Sequence, residues 1–437
     1  MSGSTLPPFL NSSGTGPSSP RPHVVVVGGG FGGLYAARAL APAGLDVTLI
    51  DRHNYHLFQP LLYQVASAAL SAGDIAAPIR SLFRRYKNVR VLMGEVTDFD
   101  LAGKRVMTTD GDYRYEYLVV AAGATGTYFG HDDWAQFAPG LKGIEDAIGI
   151  RRRIFCAYET AESHPEGSEM RNALMTFVVI GGGATGVEMA GAIVEIATKT
   201  LRQDFRSIDP TRTRVILLQS GSRILPDYPG DLSDSARTQL ERLGVEVRTG
   251  WRVTNITAEG VTAGDQFIPS KTVIWAAGVR PSPLGAKLGV PLDKAGRVLV
   301  DEHLALPDFP NVFVVGDLAH VNDKKKGTVP GIASAAIQEG VAAGRNIVRL
   351  AAGGYARPFV YDDRGQLATI GRNSAVGIVK GIPVKGFIAW VMWLLVHIYF
   401  LIGFENRMFV LLNWAYSYLS YNKSARIITG GSGAEAS

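Results

Sequence analysis

Val24 to Val27 form an unbroken apolar run, the pattern of a strand buried on both faces. It ends in Gly28-Gly29-Gly30-Phe31-Gly32-Gly33, after which Leu34 to Leu40 carry apolar residues at helical spacing and Val47 to Asp51 predict a second strand. The same grammar returns one domain length later. Phe177 to Ile180 predict a strand, Gly181-Gly182-Gly183-Ala184-Thr185-Gly186 a turn, a longer helix runs to about Leu201, and Val215 to Gln219 predict the closing strand. An internal repeat at this period implies two similar domains in series.

Arg105 to Thr109, the Asp110-Gly111 turn and Tyr113 to Val120 predict a hairpin leading into Ala121-Ala122-Gly123-Ala124. Thr272 to Trp275, leading into Ala276-Ala277-Gly278, closes the second unit in the same way. Small residues at the end of an apolar strand mark a place where backbone approaches something closely. Asn311 to Val315 predict a further strand ending in Gly316-Asp317, followed by a helix from about Pro330 to Leu350. From Phe387 to Tyr421 the chain is dominated by aromatic and aliphatic residues and no longer resembles the α/β body.

A length of 437 residues suits two domains and an appendage. The single Cys156 excludes an intrachain disulfide, a cysteine-based metal site and a redox dithiol; it reads as a buried small hydrophobe, the compartment as intracellular, and no metal is expected. The net charge of +5 invites a polyanionic partner. From Lys380 onward, Lys380, Lys385, Arg407, Lys423 and Arg426 outnumber Glu405 and Glu435 beside the most apolar segment, which points to an anionic lipid surface and away from nucleic acid.

In Gly28-x-Gly30-x-x-Gly33 the first glycine permits the turn, the second lets a pyrophosphate approach the backbone, and the third lets helix pack on strand. Asp51, ending the next strand, stands where a carboxylate accepts from the ribose hydroxyls. Together they predict a dinucleotide site. Gly181, Gly183 and Gly186 predict a second, but its strand ends at Gln219. A Glu there would bond the ribose of NADH and repel the 2′-phosphate of NADPH, whereas a neutral Gln donates to either. Ser220, Ser222 and Arg223 follow as candidate phosphate partners. Two such sites imply one dinucleotide retained and one exchanged.

From His23 to about Ile428 the chain resembles the type II NADH:quinone oxidoreductases, the non-proton-pumping NADH dehydrogenases, within the two-dinucleotide flavoproteins. Beyond the glycine motifs, the resemblance rests on His56-Leu57-Phe58-Gln59-Pro60-Leu61-Leu62-Tyr63-Gln64-Val65-Ala66, on Gly186-Val187-Glu188, and on Asn413-Trp414-Ala415-Tyr416-Ser417-Tyr418. It implies an α/β fold of two Rossmann-like dinucleotide-binding domains, glutathione-reductase-like, followed by C-terminal amphipathic membrane-binding helices. The expected division is a disordered tail over 1–22, an FAD-binding domain over 23–150 and 286–378, an NAD(P)H-binding domain over 151–285, and a membrane-binding region over 379–437.

The resemblance further implies FAD at Gly28, Gly30, Phe31, Gly32, Gly33, Asp51, Arg52, Gln59, Gln64, Ala122, Gly123, Gly316 and Asp317, with Asp317 on the ribitol. NADH, with NADPH admitted, falls at Gly181, Gly183, Gly186, Gln219, Ala277 and Gly278, and a quinone is the acceptor. Glu188 matches the family's acid near the nicotinamide. The family's Ala-Gln-x-Ala-x-Gln segment beside flavin and quinone is here Ala333-Ser334-Ala335-Ala336-Ile337-Gln338, with Ser334 in place of the first Gln. Ala333, Ser334, Ala336, Ile337 and Gln338 are therefore the quinone-side candidates, and Glu188 and Gln338 the candidate catalytic residues. The helix N-terminus near Pro330 suits negative charge on a reduced flavin.

Phe387 to Phe404 carries no formal charge but contains His397 and is interrupted by Gly403. With Trp390, Trp393, Tyr399, Trp414, Tyr416, Tyr418 and Tyr421 around it, the pattern fits two helices lying in a membrane interface better than one span. The expectation is peripheral attachment to the cytoplasmic face of the inner membrane, with a homodimer and no nucleic acid as partner. Sulfide:quinone oxidoreductases and disulfide reductases need redox cysteines that Cys156 alone does not supply. A soluble-acceptor flavoprotein reductase, or an NADH-responsive flavoprotein acting through a partner, remains the alternative.

Overall fold

The computed structural model describes residues 21–324, 327–401, 407–412, 414 and 427–428. The tail expected over 1–22 lies outside these apart from its last two residues, as do Lys325 and Lys326 and most of the aromatic segment beyond Leu401.

The repeat folds as two parallel sheets. In the first, the order is Ala305–Leu306, Phe309–Val314, Tyr117–Val120, His23–Val27, Asp46–Asp51, Val89–Met93, parallel except for the edge strand Ala305–Leu306. In the second, Thr272–Trp275, Thr176–Ile180, Arg214–Gln219 and Val245–Thr249 are all parallel. Each glycine turn follows a central strand. That strand is flanked on one side by the strand ending in Asp51 or Gln219, and on the other by the strand running into Ala-Ala-Gly. Each turn thus lies where the strand order reverses, the crevice in which open α/β sheets take ligands. Two connections between the sheets run side by side, Ala124–Gly126 antiparallel to Val279–Pro281.

Helices Phe31–Leu40 and Ala333–Ala351 pack with backbone on backbone. A Cβ at Gly340 would lie 2.1 Å from the Gly32 carbonyl oxygen, and one at Gly344 would lie 2.8 Å from that of Ala36. The helix after the second glycine turn, Ala184–Glu195, continues through a π turn over Ile196–Thr200 and ends at Leu201, as far as the sequence predicts. It rests on strand Gly365–Gly371 so closely that a Cβ at Gly191 would sit 1.9 Å from the Ile370 carbonyl oxygen. That strand joins Ser374–Val379 and Ile382–Lys385 in an antiparallel sheet, which leads directly into helix Gly386–Phe400.

Three local expectations need correction. Tyr113 to Val120 is not one strand: Gly111–Arg114 pairs with Arg105–Thr108, whereas Tyr117–Val120 enters the first parallel sheet. Buried Tyr115 and the Glu116 amide, which donates to the His23 carbonyl, turn the chain between them. Cys156 is half-buried on helix Ile144–Glu162, not fully enclosed. The helix expected from Pro330 begins at Ala333.

Because no side chain fits between the helices at Gly340, Gly340→Val should destabilise the protein by roughly 3 kcal/mol. Chemical denaturation of the variant and the parent checks this; a change within about 0.5 kcal/mol would mean that the two helices separate freely.

Candidate functional site

The two glycine turns are built alike. Gly28 has φ +98°, and a Cβ there would lie 2.3 Å from the Ala121 carbonyl oxygen; one at Gly33 would lie 1.8 Å from that of Gly28. Gly181 has φ +115° and would meet the Ala276 carbonyl oxygen at 2.7 Å, and Gly186 that of Gly181 at 1.8 Å. The chain's own backbone therefore demands the first and third glycines. A Cβ at Gly30 or Gly183 would meet nothing within 4 Å. Open space beside a residue that still lacks a side chain fits a bound phosphate group. No side chain caps the helices that begin after Gly30 and Gly183, in contrast to Ser168, whose hydroxyl accepts from the Arg171 amide. First-turn amides and the helix dipole are thus left to an anion.

The strand-end residues also correspond. One carboxylate oxygen of Asp51 accepts from the Gly29 amide at 2.5 Å and the other from the His53 amide at 2.7 Å. Gln219 uses its Oε1 in the same way, accepting from the Gly182 amide at 2.9 Å. Its Nε2, a donor, is then the atom left beside the following loop at Gly221. Arg223 is exposed and turned back on its own loop, donating to the Pro226 carbonyl at 2.8 Å. Arg52 and Gln59 are exposed, and Gln59 opens a 3-10 turn. Ala122 precedes Gly123, at φ +64°, and Ala277 precedes Gly278, at φ +76°, so both strand ends turn through left-handed glycine.

Two groups to which the sequence assigned no role support the first cradle. His56 is buried, and its Nδ1 bonds the Gly29 carbonyl at 2.8 Å; burial lowers its pKa to about 4, so the ring is neutral and Nδ1 is the protonated nitrogen. Glu339, 3 % exposed, accepts the Gly316 amide at 2.6 Å and so fixes the turn that presents Asp317. Burial raises Glu339 to about 7, against the stabilising Gly316 N–H and with the Asp317 carboxylate adding to the rise. Burial also raises Asp317, and Lys142 opposes that. An acid one residue before Gly340, on the face that meets Gly32, is the signal from which Glu339 was open to discovery.

Of the Ala333 to Gln338 segment, Ala336 and Ile337 are buried, while Ala333 and Ser334 are half-buried. Gln338 clamps a loop: its Oε1 accepts from the Asp362 amide at 2.9 Å, and its Nε2 donates to the Asp362 carbonyl at 3.0 Å and the Ser334 carbonyl at 3.1 Å.

Glu188 lies elsewhere, in a cleft that it lines with Tyr63, Gln64, Glu195, Thr369, Arg372, Trp390, Trp393 and Trp414; Gln338 is not among these residues. Burial raises the Glu188 carboxyl to about 8, opposed by the Thr369 amide that donates to it at 3.4 Å, so it is mainly protonated at neutral pH. The Trp414 indole donates to Gln64 Oε1 at 2.8 Å, and Gln64 Nε2 donates to the Tyr63 hydroxyl at 3.0 Å. Trp393 stacks on His397 with centroids 4.1 Å apart and lies 5.6 Å from the Trp414 ring. Burial lowers His397 to about 4, and its Nδ1 bonds the Trp393 carbonyl at 2.7 Å. Gln64 and Glu188 are thus brought together; of the C-terminal motif Asn413 to Tyr418, only Trp414 lies within the described residues.

The sequence matches the Pyridine nucleotide-disulphide oxidoreductase family over residues 22–340. The Type II NADH:quinone oxidoreductase Ndh of Mycobacterium tuberculosis is 45% identical, over 94% of this chain and 91% of its own. The Internal alternative NAD(P)H-ubiquinone oxidoreductase A1, mitochondrial, of Arabidopsis thaliana is 28% identical, over 93% of this chain and 86% of its own. The solved structure of NDH2 from Plasmodium falciparum in complex with NADH superposes with a TM-score of 0.85 at 20% identity, over 94% of this chain and 100% of that one.

A carboxyl raised to about 8 costs no stability below its unfolded value of 4.5, where both states are protonated, and its full cost above 8, where the buried group ionises. Glu188→Gln should therefore gain roughly 1 to 3 kcal/mol over the parent at pH 9 and little at pH 4. Denaturant unfolding at the two pH values checks the sign, and an equal difference at both would place Glu188 in water.

Proposed function

The chain belongs to the pyridine nucleotide-disulphide oxidoreductases and, within them, to the type II NADH:quinone oxidoreductases; from that premise we propose that it oxidises NADH and passes two electrons through FAD to a quinone, without pumping protons. The observation that carries this reading is the pair of matched cradles, each with an open second glycine and an uncapped helix, one ending in Asp51 and the other in Gln219. Bound FAD supplies a hydride acceptor and a two-electron donor.

The chain's residues bind and orient. Gly28, Gly30 and Gly33 with Asp51 hold the retained dinucleotide, and Glu339 sets Asp317 for the ribitol. Gly181, Gly183 and Gly186 with Gln219 take NADH, with Gly123 and Gly278 turning the two strand ends between the domains. Glu188, protonated at neutral pH, holds a proton in the cleft where the Trp390, Trp393 and Trp414 rings exclude water.

We assign the exposed apolar face of helix Gly386–Phe400 to an anionic lipid surface on the cytoplasmic side of the inner membrane, where NADH is supplied. Phe387, Ile388, Leu395 and Tyr399 are 59–69 % exposed on it, beside Lys385. Among the described residues no helix is long and apolar enough to cross a membrane. This one rises only about 22 Å, short of a ~30 Å hydrocarbon core, which favours a helix lying in the interface. A homodimer would cover exposed apolar residues of this region, and Phe409 and Leu412 are also exposed.

Steady-state oxidation of NADH and NADPH with a water-soluble quinone, with the flavin identified after release, tests the reading; a protein that turns over neither nucleotide, or yields only FMN, would refute it. Gln219 lacks the charge that rejects a 2′-phosphate, so NADPH should be used measurably, and Gln219→Glu should shift the ratio of kcat/KM toward NADH by about 1 to 3 kcal/mol. Replacing Phe387, Ile388, Leu395 and Tyr399 together by Ser should release the protein from anionic vesicles while NADH oxidation with a soluble acceptor persists. Retention on the vesicles would assign the lipid contact to another surface.

A further inference from the structure

The cleft between residues 63–64 and the C-terminal helix holds one polar group that the arrangement above leaves without a task. Trp393 is 2 % exposed and lines the cleft. Its Nε1 is buried and has no hydrogen-bond partner among the described residues. Indole nitrogen is a donor only, so what satisfies it must present an acceptor. Of the nearby polar groups, Gln64 Oε1 already accepts from the Trp414 indole, and Gln64 Nε2 is itself a donor, directed to Tyr63. Glu188, lining the same cleft, is held protonated by burial and adds a second donor. The ring is fixed by its stack on His397, so the Nε1–H direction is fixed with it.

The part of the cleft walled by Trp390, Trp393 and Trp414, where the unsatisfied group is an indole N–H, suits a flat molecule that presents an acceptor. We propose that Trp393 Nε1–H donates to a carbonyl oxygen of the quinone, which lies in the cleft between Gln64, Glu188 and Trp414. This deepens the function proposed above and rests on it. The Gln338 amide, by contrast, is committed to Asp362. Trp393 is then a binding residue for the acceptor half of the reaction alone. The glycine cradle proposed for NADH, Gly181 to Gly186, does not include it.

Trp393→Phe keeps an aromatic ring against His397 and removes only the donor. In the full-length, FAD-loaded enzyme, KM for ubiquinone-1 and its dissociation constant from the oxidised enzyme, by calorimetry, should both rise five- to thirty-fold. The rate of flavin reduction by NADH in stopped flow should not change. In the parent labelled with 15N-tryptophan, one indole proton, the one missing from the Trp393→Phe spectrum, should move downfield on addition of ubiquinone-1; if that variant does not fold, a downfield shift of one of the parent's six indole resonances carries the same test. Unchanged KM and dissociation constant, or six unmoved indole protons, would overturn the proposal and assign the Nε1–H to a bound water. A parent that neither binds nor reduces ubiquinone-1 would instead defeat the quinone reading itself.

Discussion

The contact between helices Phe31–Leu40 and Ala333–Ala351 is the constraint on which the first nucleotide site depends. With Gly340 against the Gly32 carbonyl, the two backbones meet without an intervening side chain. Close approach has two consequences. It holds the start of Ala333–Ala351 beside the first phosphate turn, and it brings Glu339 within hydrogen-bond distance of the Gly316 amide. The carboxyl thus buried loses hydration, which raises it toward neutrality, but it gains the amide that would otherwise be unpaired in the turn before Asp317. Cradle, helix start and acid turn are therefore one packed unit, set by three glycines and a glutamate.

The second unit repeats the first with a change at one atom. Asp51 and Gln219 each accept an amide of their own glycine turn, so the structural task of the strand-end residue is the same in both. What differs is the group left over. The Asp51 carboxylate, each oxygen already accepting one amide, still has lone pairs to offer a ribose, whereas a carboxamide with Oε1 committed has a donor to offer. The structural half of the strand-end residue is thus unchanged, and only its remaining half differs.

Desolvation dominates the electrostatics of the cleft. Glu188 and His397 lie in one aromatic environment, and burial drives both toward the neutral form, the acid upward and the imidazole downward. Neither group carries a charge at neutral pH, and Glu188 keeps its proton. Trp414 closes the cleft through the bond to Gln64, so this residue of the C-terminal aromatic segment is part of the wall.

The sequence by itself determined the two cradles, their order and the strand-end residues, because a glycine turn between a strand and a helix is a local backbone requirement written within a few positions. It also marked the aromatic C-terminus, since composition survives without coordinates. It could not separate Tyr113 to Arg114 from Tyr117 to Val120, because strand partners are chosen by distant chain. Nor did it show that Glu339 meets Gly316, that Gln338 is tied to Asp362, or that Trp414 bonds Gln64 from 350 residues away. Those pairings, and the burial that neutralises Glu188 and His397, arise only when separate elements pack and exclude water. Tertiary structure therefore decided which polar groups are already satisfied and which, like the Trp393 indole, are buried without a partner.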